Sequence, residues 1–124
     1  MKPEHFEDLA KITLPHYLKC AAWSSSGTDN DGEELESLEA FEFSQEANAK
    51  ALLDITYFIS ISNIYFNGEV TVAQLGHDLW LTRCGHRTGF WDRGYKYGDV
   101  LTKKSEQLGP LGIFINDNNQ LDFS

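Results

Sequence analysis

The stretch HDLWLTRCGHRTGFWDRG, residues 77–94, contains two His, two Asp, three Arg and two Trp within eighteen positions. In its first part, residues 77–83, apolar and polar side chains alternate, which is typical of a β-strand with one buried side. Residues 84–88 are suited to a turn, and residues 89–93 to a returning strand. The stretch therefore predicts an antiparallel β-hairpin.

A turn centred on His86 and Arg87 would place Trp80 opposite Arg93 in this hairpin. The outer side of the hairpin then holds a cluster of four residues, Asp78, Trp80, Trp91 and Arg93. Stacking of Arg93 on Trp80 and its pairing with Asp78 would stabilise the hairpin by roughly 0.5–2 kcal/mol. The cluster is thus interpreted as structural, with Trp80, Trp91 and Arg93 also available to a binding partner.

The same stretch allows a catalytic alternative, a small hydrolase of a nucleotide or nucleic acid that uses His77, Asp78, Arg83 and His86. Neighbouring residues of a strand point to opposite sides, so His77 and Asp78 would not orient each other. His86 falls in the turn, where no rigid partner for a general base is indicated. We therefore predict no catalytic residues and keep the hydrolase as the alternative.

A metal site made of His77, Cys84 and His86 is a further alternative. It lacks a fourth ligand and any recognised ligand spacing, so no metal or other cofactor is predicted, although the sequence leaves this point open. Two cysteines, Cys20 and Cys84, are too few for a disulfide framework and are expected to remain thiols.

The rest of the chain predicts helices and one more hairpin. A short turn and a kink precede a helix at residues 14–24, with Thr13 as its N-cap and Trp23 as a core anchor. Ser44 caps a second helix, beyond which residues 59–66 have the composition of a short strand. The apolar face of this second helix is expected to consist of Ala47, Ala51, Leu52, Ile55, Phe58 and Ile59.

Further along, Thr71 is expected to cap a single turn that ends at Gly76. A helix is predicted at residues 97–107 and a closing hairpin at residues 112–123. The predicted class is α+β in the order α-α-β-β-α-β-β, with two N-terminal helices packed on a small antiparallel sheet. At 124 residues the chain is expected to form a single domain, residues 1–124.

Charge is distributed unevenly along the chain. The net charge is -9, with 19 acidic and 10 basic residues. Residues 1–76 contain thirteen acids and four bases, whereas residues 77–124 contain six of each. This excess of negative charge disfavours direct binding to nucleic acid or to an anionic membrane.

Eight acidic residues without an intervening Lys or Arg lie in residues 29–46, namely Asp29, Asp31, Glu33, Glu34, Glu36, Glu39, Glu42 and Glu46. Glutamates at every third position drift by about 60° per step around an ideal helix, so they would not form one stripe. We predict that this run binds a partner protein. The leading hypothesis is a non-catalytic interaction protein, in its specific form an acidic DNA mimic that inhibits a nucleic-acid-binding or defence protein of a host.

The central stretch resembles the HDFWLTRNGHGAGFWDRG-type segment of a group of small acidic proteins, mostly of unassigned function, that phages and mobile elements encode. The segment HYLKCAAWSSS, residues 16–26, and the closing hairpin are also similar to that group. Here Cys84 replaces an Asn, and Arg87 and Thr88 stand where small residues are usual. The resemblance implies an accessory protein that acts inside an infected host cell, and it carries no catalytic residues with it.

Because no apolar signal core follows Met1, the cytoplasm is the expected location.

Overall fold

Residues 1–124 form four α-helices and two small antiparallel sheets in a computed structural model. The helices are α1 (Phe6–Trp23), α2 (Gln45–Ser62), α3 (Val72–Arg83) and α4 (Gly98–Glu106). Strand β1 (Gly27–Thr28) pairs with β2 (Glu34–Leu35), and β3 (Ile113–Ile115) pairs with β4 (Leu121–Phe123). Single 3₁₀ turns cover Pro3–His5, Asn63–Tyr65 and Phe90–Asp92. The predicted α+β class is confirmed. None of the helices combines the length and the apolar composition that a membrane crossing requires.

The hairpin predicted at residues 77–93 is wrong, because its first strand is part of helix α3. Thr71 begins this helix with a capping box. Its hydroxyl accepts the amide hydrogen of Gln74 at 3.2 Å, and the Gln74 side chain accepts that of Thr71 at 3.4 Å. Eight of the twelve residues in α3 are buried. The sequence of α3 therefore lacks the regular spacing of apolar and polar residues that identifies a surface helix.

Gly76 lies inside α3 instead of ending a turn, at a point where α3 passes close to α1. A β-carbon at this position would lie 2.7 Å from the backbone nitrogen of Tyr17 and 3.0 Å from the carbonyl oxygen of Thr13. No side chain fits in this space. The contact between the two helices therefore requires glycine at position 76.

Helix α1 is continuous, which corrects the turn and kink predicted before residue 14. Pro15 lies inside it, and Thr13 is a buried residue of the helix whose hydroxyl donates to the carbonyl of Leu9 at 2.8 Å. A proline removes one amide donor from a helix. Packing of α1 against both α2 and α3 compensates for this loss. Trp23, expected in the core, is 60% exposed at the end of α1.

Apart from one strand, the other local predictions are confirmed. The Ser44 hydroxyl accepts the amide hydrogen of Ala47 at 3.1 Å and caps α2, whose inner face is buried as expected. The strand considered for residues 59–66 does not form, because α2 continues to Ser62 and a 3₁₀ turn follows. Helix α4 and the β3–β4 hairpin agree with the predictions for the C-terminal part of the chain.

Aromatic contacts join the helices to the closing hairpin. Phe58 of α2 stacks on Phe90 with ring centroids 5.6 Å apart. Trp80 of α3 meets Tyr17 of α1 edge-on at 5.6 Å and contacts Phe123 of β4 at 5.8 Å. The core therefore lies between α1, α2 and α3, with the β3–β4 hairpin against one side of it.

Replacing Gly76 by Ala is expected to destabilise the protein by about 1–3 kcal/mol, because the added methyl group would overlap the backbone of α1. Helix propensity alone would predict the opposite effect, an increase in the free energy of unfolding of up to about 1 kcal/mol. Urea denaturation followed by circular dichroism measures the change. A variant at least as stable as the original protein would rule out the close contact between α1 and α3.

Candidate functional site

The acidic segment, defined as residues 29–46, comprises the turn between β1 and β2, strand β2 itself, the loop that leads into α2 and the first two residues of α2. Asp29 is half-buried, and its carboxylate accepts the amide hydrogens of Asp31 at 3.0 Å and Glu33 at 2.8 Å, which fixes the turn. The seven other acids are exposed, namely Asp31, Glu33, Glu34, Glu36, Glu39, Glu42 and Glu46. None of the eight forms an ion pair within the protein.

The tryptophans of the central stretch do not share a surface. Trp80 is 2% exposed, and its indole N–H donates to the Ser24 hydroxyl at 3.0 Å, so its predicted position on an outer face is wrong. Trp91 remains half exposed and lines a groove of about 450 Å³ that also includes Cys84 and His86. Arg93 lines a different groove. The proposed docking cluster of Trp80, Trp91 and Arg93 is therefore not assembled.

The ion pair predicted between Asp78 and Arg93 is present, although the two residues belong to a helix and a loop instead of paired strands. Asp78 is completely buried, and its carboxylate accepts hydrogen bonds from Nε and Nη2 of Arg93 at 2.8–3.2 Å. Hydrogen bonding to Asp78 raises the pKa of Arg93. Asp78 is thus engaged as a counter-ion and attaches the loop before α4 to α3.

Arg83 lies at the centre of a buried network that joins four parts of the chain. Its guanidinium donates to the Asp54 carboxylate at 2.7 Å, to the Tyr17 hydroxyl at 3.1 Å, and to the carbonyls of Leu108 at 3.0 Å and Gly109 at 2.7 Å. Burial by itself would lower the pKa of Arg83, but interactions with Tyr17 and Asp54 raise it above its ordinary value. Burial also raises the pKa of the Tyr17 hydroxyl. Four of the five N–H donors of this guanidinium are thus engaged in structural contacts.

Of the four residues of the hydrolase alternative, Arg83 and His86 line one groove, but His77 lines another and Asp78 lines neither. Asp78 and Arg83 are held in separate ion pairs, while His77 and His86 line different grooves. The metal alternative meets the same obstacle, because Cys84 and His86 line one groove and His77 the other. No group of three or more His, Cys, Asp or Glu side chains is arranged to hold a metal ion.

A second groove, of about 650 Å³, lies along helices α1 and α3 and combines basic and aromatic side chains. This α1–α3 groove is lined by His16, Lys19, Cys20, Trp23, Glu39, His77, Leu81, Thr88 and Arg93. The rings of His16 and His77 meet edge-on with centroids 6.2 Å apart. Sequence reasoning missed this groove because it treated these two histidines separately. The available signal was the helical spacing of His16, Lys19 and Trp23, which places them on one face of α1.

Burial shapes the acid–base properties of this groove. It lowers the pKa of His77, and the neighbouring His16 lowers it further, whereas Asp78 acts in the opposite direction. Burial raises the pKa of the Cys20 thiol to about 11, so this thiol stays protonated and is not an active nucleophile at neutral pH. Lys19 forms no ion pair within the protein. The groove therefore offers cationic donors instead of a nucleophile.

No family model, no curated protein and no solved structure matches this chain. The likeness of the central stretch to small phage-encoded proteins stays a prediction.

Replacing Arg83 by Met is expected to lower the free energy of unfolding by about 3–5 kcal/mol, because it leaves Asp54 and the Tyr17 hydroxyl without their buried partner. Replacing the exposed Arg87 by Met is expected to change the free energy of unfolding by less than about 0.5 kcal/mol. Urea unfolding of the two variants provides the comparison. Equal effects would show that the Arg83 network does not stabilise the fold.

An NMR titration of the imidazole protons is expected to place the pKa of His77 below its ordinary value of 6.5. Because His16 contributes to this shift, the variant His16→Asn is expected to raise the pKa of His77. A histidine with a lowered pKa binds fewer protons in the folded than in the unfolded chain, so the free energy of unfolding should decrease as the pH falls through about 6.5. In the variant His77→Asn, the free energy of unfolding should fall less over the same pH range. A pKa of His77 that is insensitive to His16→Asn would contradict the pairing of the two rings.

Proposed function

We propose that this protein is a non-catalytic interaction protein that binds a basic surface of a partner protein through its acidic segment. The observation that carries the proposal is that seven of the eight carboxylates are exposed and none is paired with a base of the same chain. Their charge is therefore free to attract a partner. Complementary charge accelerates association and selects basic surfaces over acidic ones.

Contacts with the rest of the fold hold the acidic segment in place. Leu38 is completely buried, and its amide donates to the carbonyl of Ala22 in α1 at 3.0 Å. The carbonyl of Glu42 accepts the amide hydrogen of Leu121 in β4 at 2.8 Å. A partner would thus meet a surface that is already ordered, which reduces the conformational entropy lost on binding.

Two of the four residues of the hydrolase alternative are held in ion pairs within the fold, which supports a non-catalytic role. Asp78 is committed to Arg93, and Arg83 is committed to Asp54, both through hydrogen-bonded ion pairs. A general base or an electrophilic arginine would need access to a substrate. These two residues therefore serve the fold and lend no support to hydrolysis.

The specific form of the proposal is a DNA mimic that inhibits a nucleic-acid-binding or defence protein in the cytoplasm of a host cell. Duplex DNA carries one negative charge per roughly 1.7 Å of its axis, so a protein that replaces it needs closely spaced carboxylates. The net charge of -9 and the dense acidic segment support this form. The host cell is what the resemblance to phage-encoded proteins implies.

The triple variant Glu33→Lys, Glu36→Lys and Glu42→Lys is expected to reduce capture of the partner from a host lysate by roughly tenfold, because three attractive charges become repulsive. Glu39 is left unchanged because it lines the α1–α3 groove. The control reverses three exposed acids outside the segment, Glu4, Glu106 and Asp117, and gives the same net charge. Mass spectrometry with isotope labelling measures the captured amounts.

Two further readouts separate specific from general electrostatic binding. The captured protein should be basic, and duplex DNA added to the lysate should displace it if the segment mimics DNA. Loss of capture with both triple variants would mean that net charge alone is responsible. Undiminished capture with the segment variant would contradict the proposed function.

A further inference from the structure

The α1–α3 groove brings basic side chains together in a protein whose net charge is -9. Lys19 and Arg93 carry permanent charges in it, and His16 and His77 add two imidazole rings. Glu39 is the one carboxylate on its lining. Asp78 neutralises Arg93 and Glu39 opposes Lys19, so the groove is close to neutral and does not share the negative charge of the chain as a whole.

Two of the cations have hydrogen-bonding capacity left for a ligand. Lys19 has no ion-pair partner. Arg93 uses Nε and Nη2 to bind Asp78, so its Nη1 group is free, and its side chain is 34% exposed. Because Asp78 already holds the guanidinium in place, an anion would bind it without ordering a flexible side chain. A phosphate group has the charge and the acceptor oxygens that suit two such donors.

Trp23 provides a flat apolar surface in the same groove. Its side chain is 60% exposed, and Leu81 adds an aliphatic surface from α3. Exposed aromatic rings stack with nucleobases of any type, since each base has a π-face. The volume of about 650 Å³ is that of a small-molecule site and exceeds what an inorganic anion needs.

We propose that the α1–α3 groove binds a nucleoside monophosphate, with the phosphate between Lys19 and Arg93 and the base stacked on Trp23. The net charge of the protein favours a small anion over a nucleic-acid polymer, because only the polymer presents a large repelling charge. Screening by salt limits that repulsion to about 8 Å at physiological ionic strength. This site does not depend on the partner of the acidic segment.

His77 gives the complex a spectroscopic signature. Its imidazole is influenced by His16 and Lys19 of α1, by Asp78 of α3 and by Arg93 from the loop before α4. A bound phosphate adds negative charge to this set and therefore raises the pKa of His77 from its lowered value in the free protein.

Isothermal titration calorimetry of the whole protein with adenosine 5′-monophosphate tests the proposal, and a Kd below about 1 mM is expected. Adenosine and inorganic phosphate should each bind at least about tenfold more weakly, because each makes only part of the contacts. In parallel, NMR should show that the pKa of His77 rises when the nucleotide binds.

Variants assign the contacts. Lys19→Met and Trp23→Ala change exposed side chains and should each weaken binding by about tenfold. Glu39→Gln removes the opposing carboxylate and should strengthen binding about threefold. The matched control Lys103→Met removes the same charge from an exposed position on α4 and should leave binding unchanged.

Absence of binding up to about 10 mM nucleotide would overturn the proposal. Equal affinity for adenosine or phosphate, or equal effects of Lys19→Met and Lys103→Met, would also overturn it. None of these results would bear on the proposed function. The charge-reversal variant of the acidic segment keeps Lys19, Trp23 and Glu39 unchanged, and its readout is capture of a protein.

Discussion

The burial of one positive charge, that of Arg83, is the constraint on which the arrangement of the helices depends. A guanidinium removed from water is costly unless its donors are satisfied. Arg83 meets this requirement only when α1 brings the Tyr17 hydroxyl, α2 brings the Asp54 carboxylate and the segment after α4 brings two carbonyls. The network therefore selects one way of packing these elements, with the aromatic contacts of Trp80 beside it.

A second buried charge, that of Asp78, connects the fold to the α1–α3 groove. Its ion pair with Arg93 keeps the loop before α4 against α3 and at the same time holds a guanidinium at the edge of that groove. One interaction thus serves stability and site geometry together. Because residues 77 and 78 are neighbours on a helix, the imidazole of His77 reaches the groove while the carboxylate of Asp78 stays buried.

Charge of opposite sign is sorted onto two parts of the molecule. The acidic segment carries exposed carboxylates without counter-ions, whereas the groove gathers lysine, arginine and histidine side chains from three separate parts of the chain. Glu39 belongs to both and lies where they meet. A protein of this kind can attract a basic partner that comes close to the segment and still accept a small anion in the groove, since salt screens the charges of the segment within about 8 Å.

Local sequence determined the caps and the ends of the chain: Ser44 and Thr71 each begin a helix with their own hydroxyl, and the turn after β3 closes the last hairpin through nearby backbone contacts. The pattern of predicted helices and hairpins also indicated the α+β class, and the run of carboxylates determined an exposed acidic segment because unpaired carboxylates stay in water. Only the tertiary structure decided that residues 77–83 are helical, since α3 is buried on several sides and shows no amphipathic period. Tertiary packing likewise left Trp23 exposed, placed Trp80 in the core and brought His16 to His77. These outcomes depend on contacts between residues far apart in the chain, which no local pattern records.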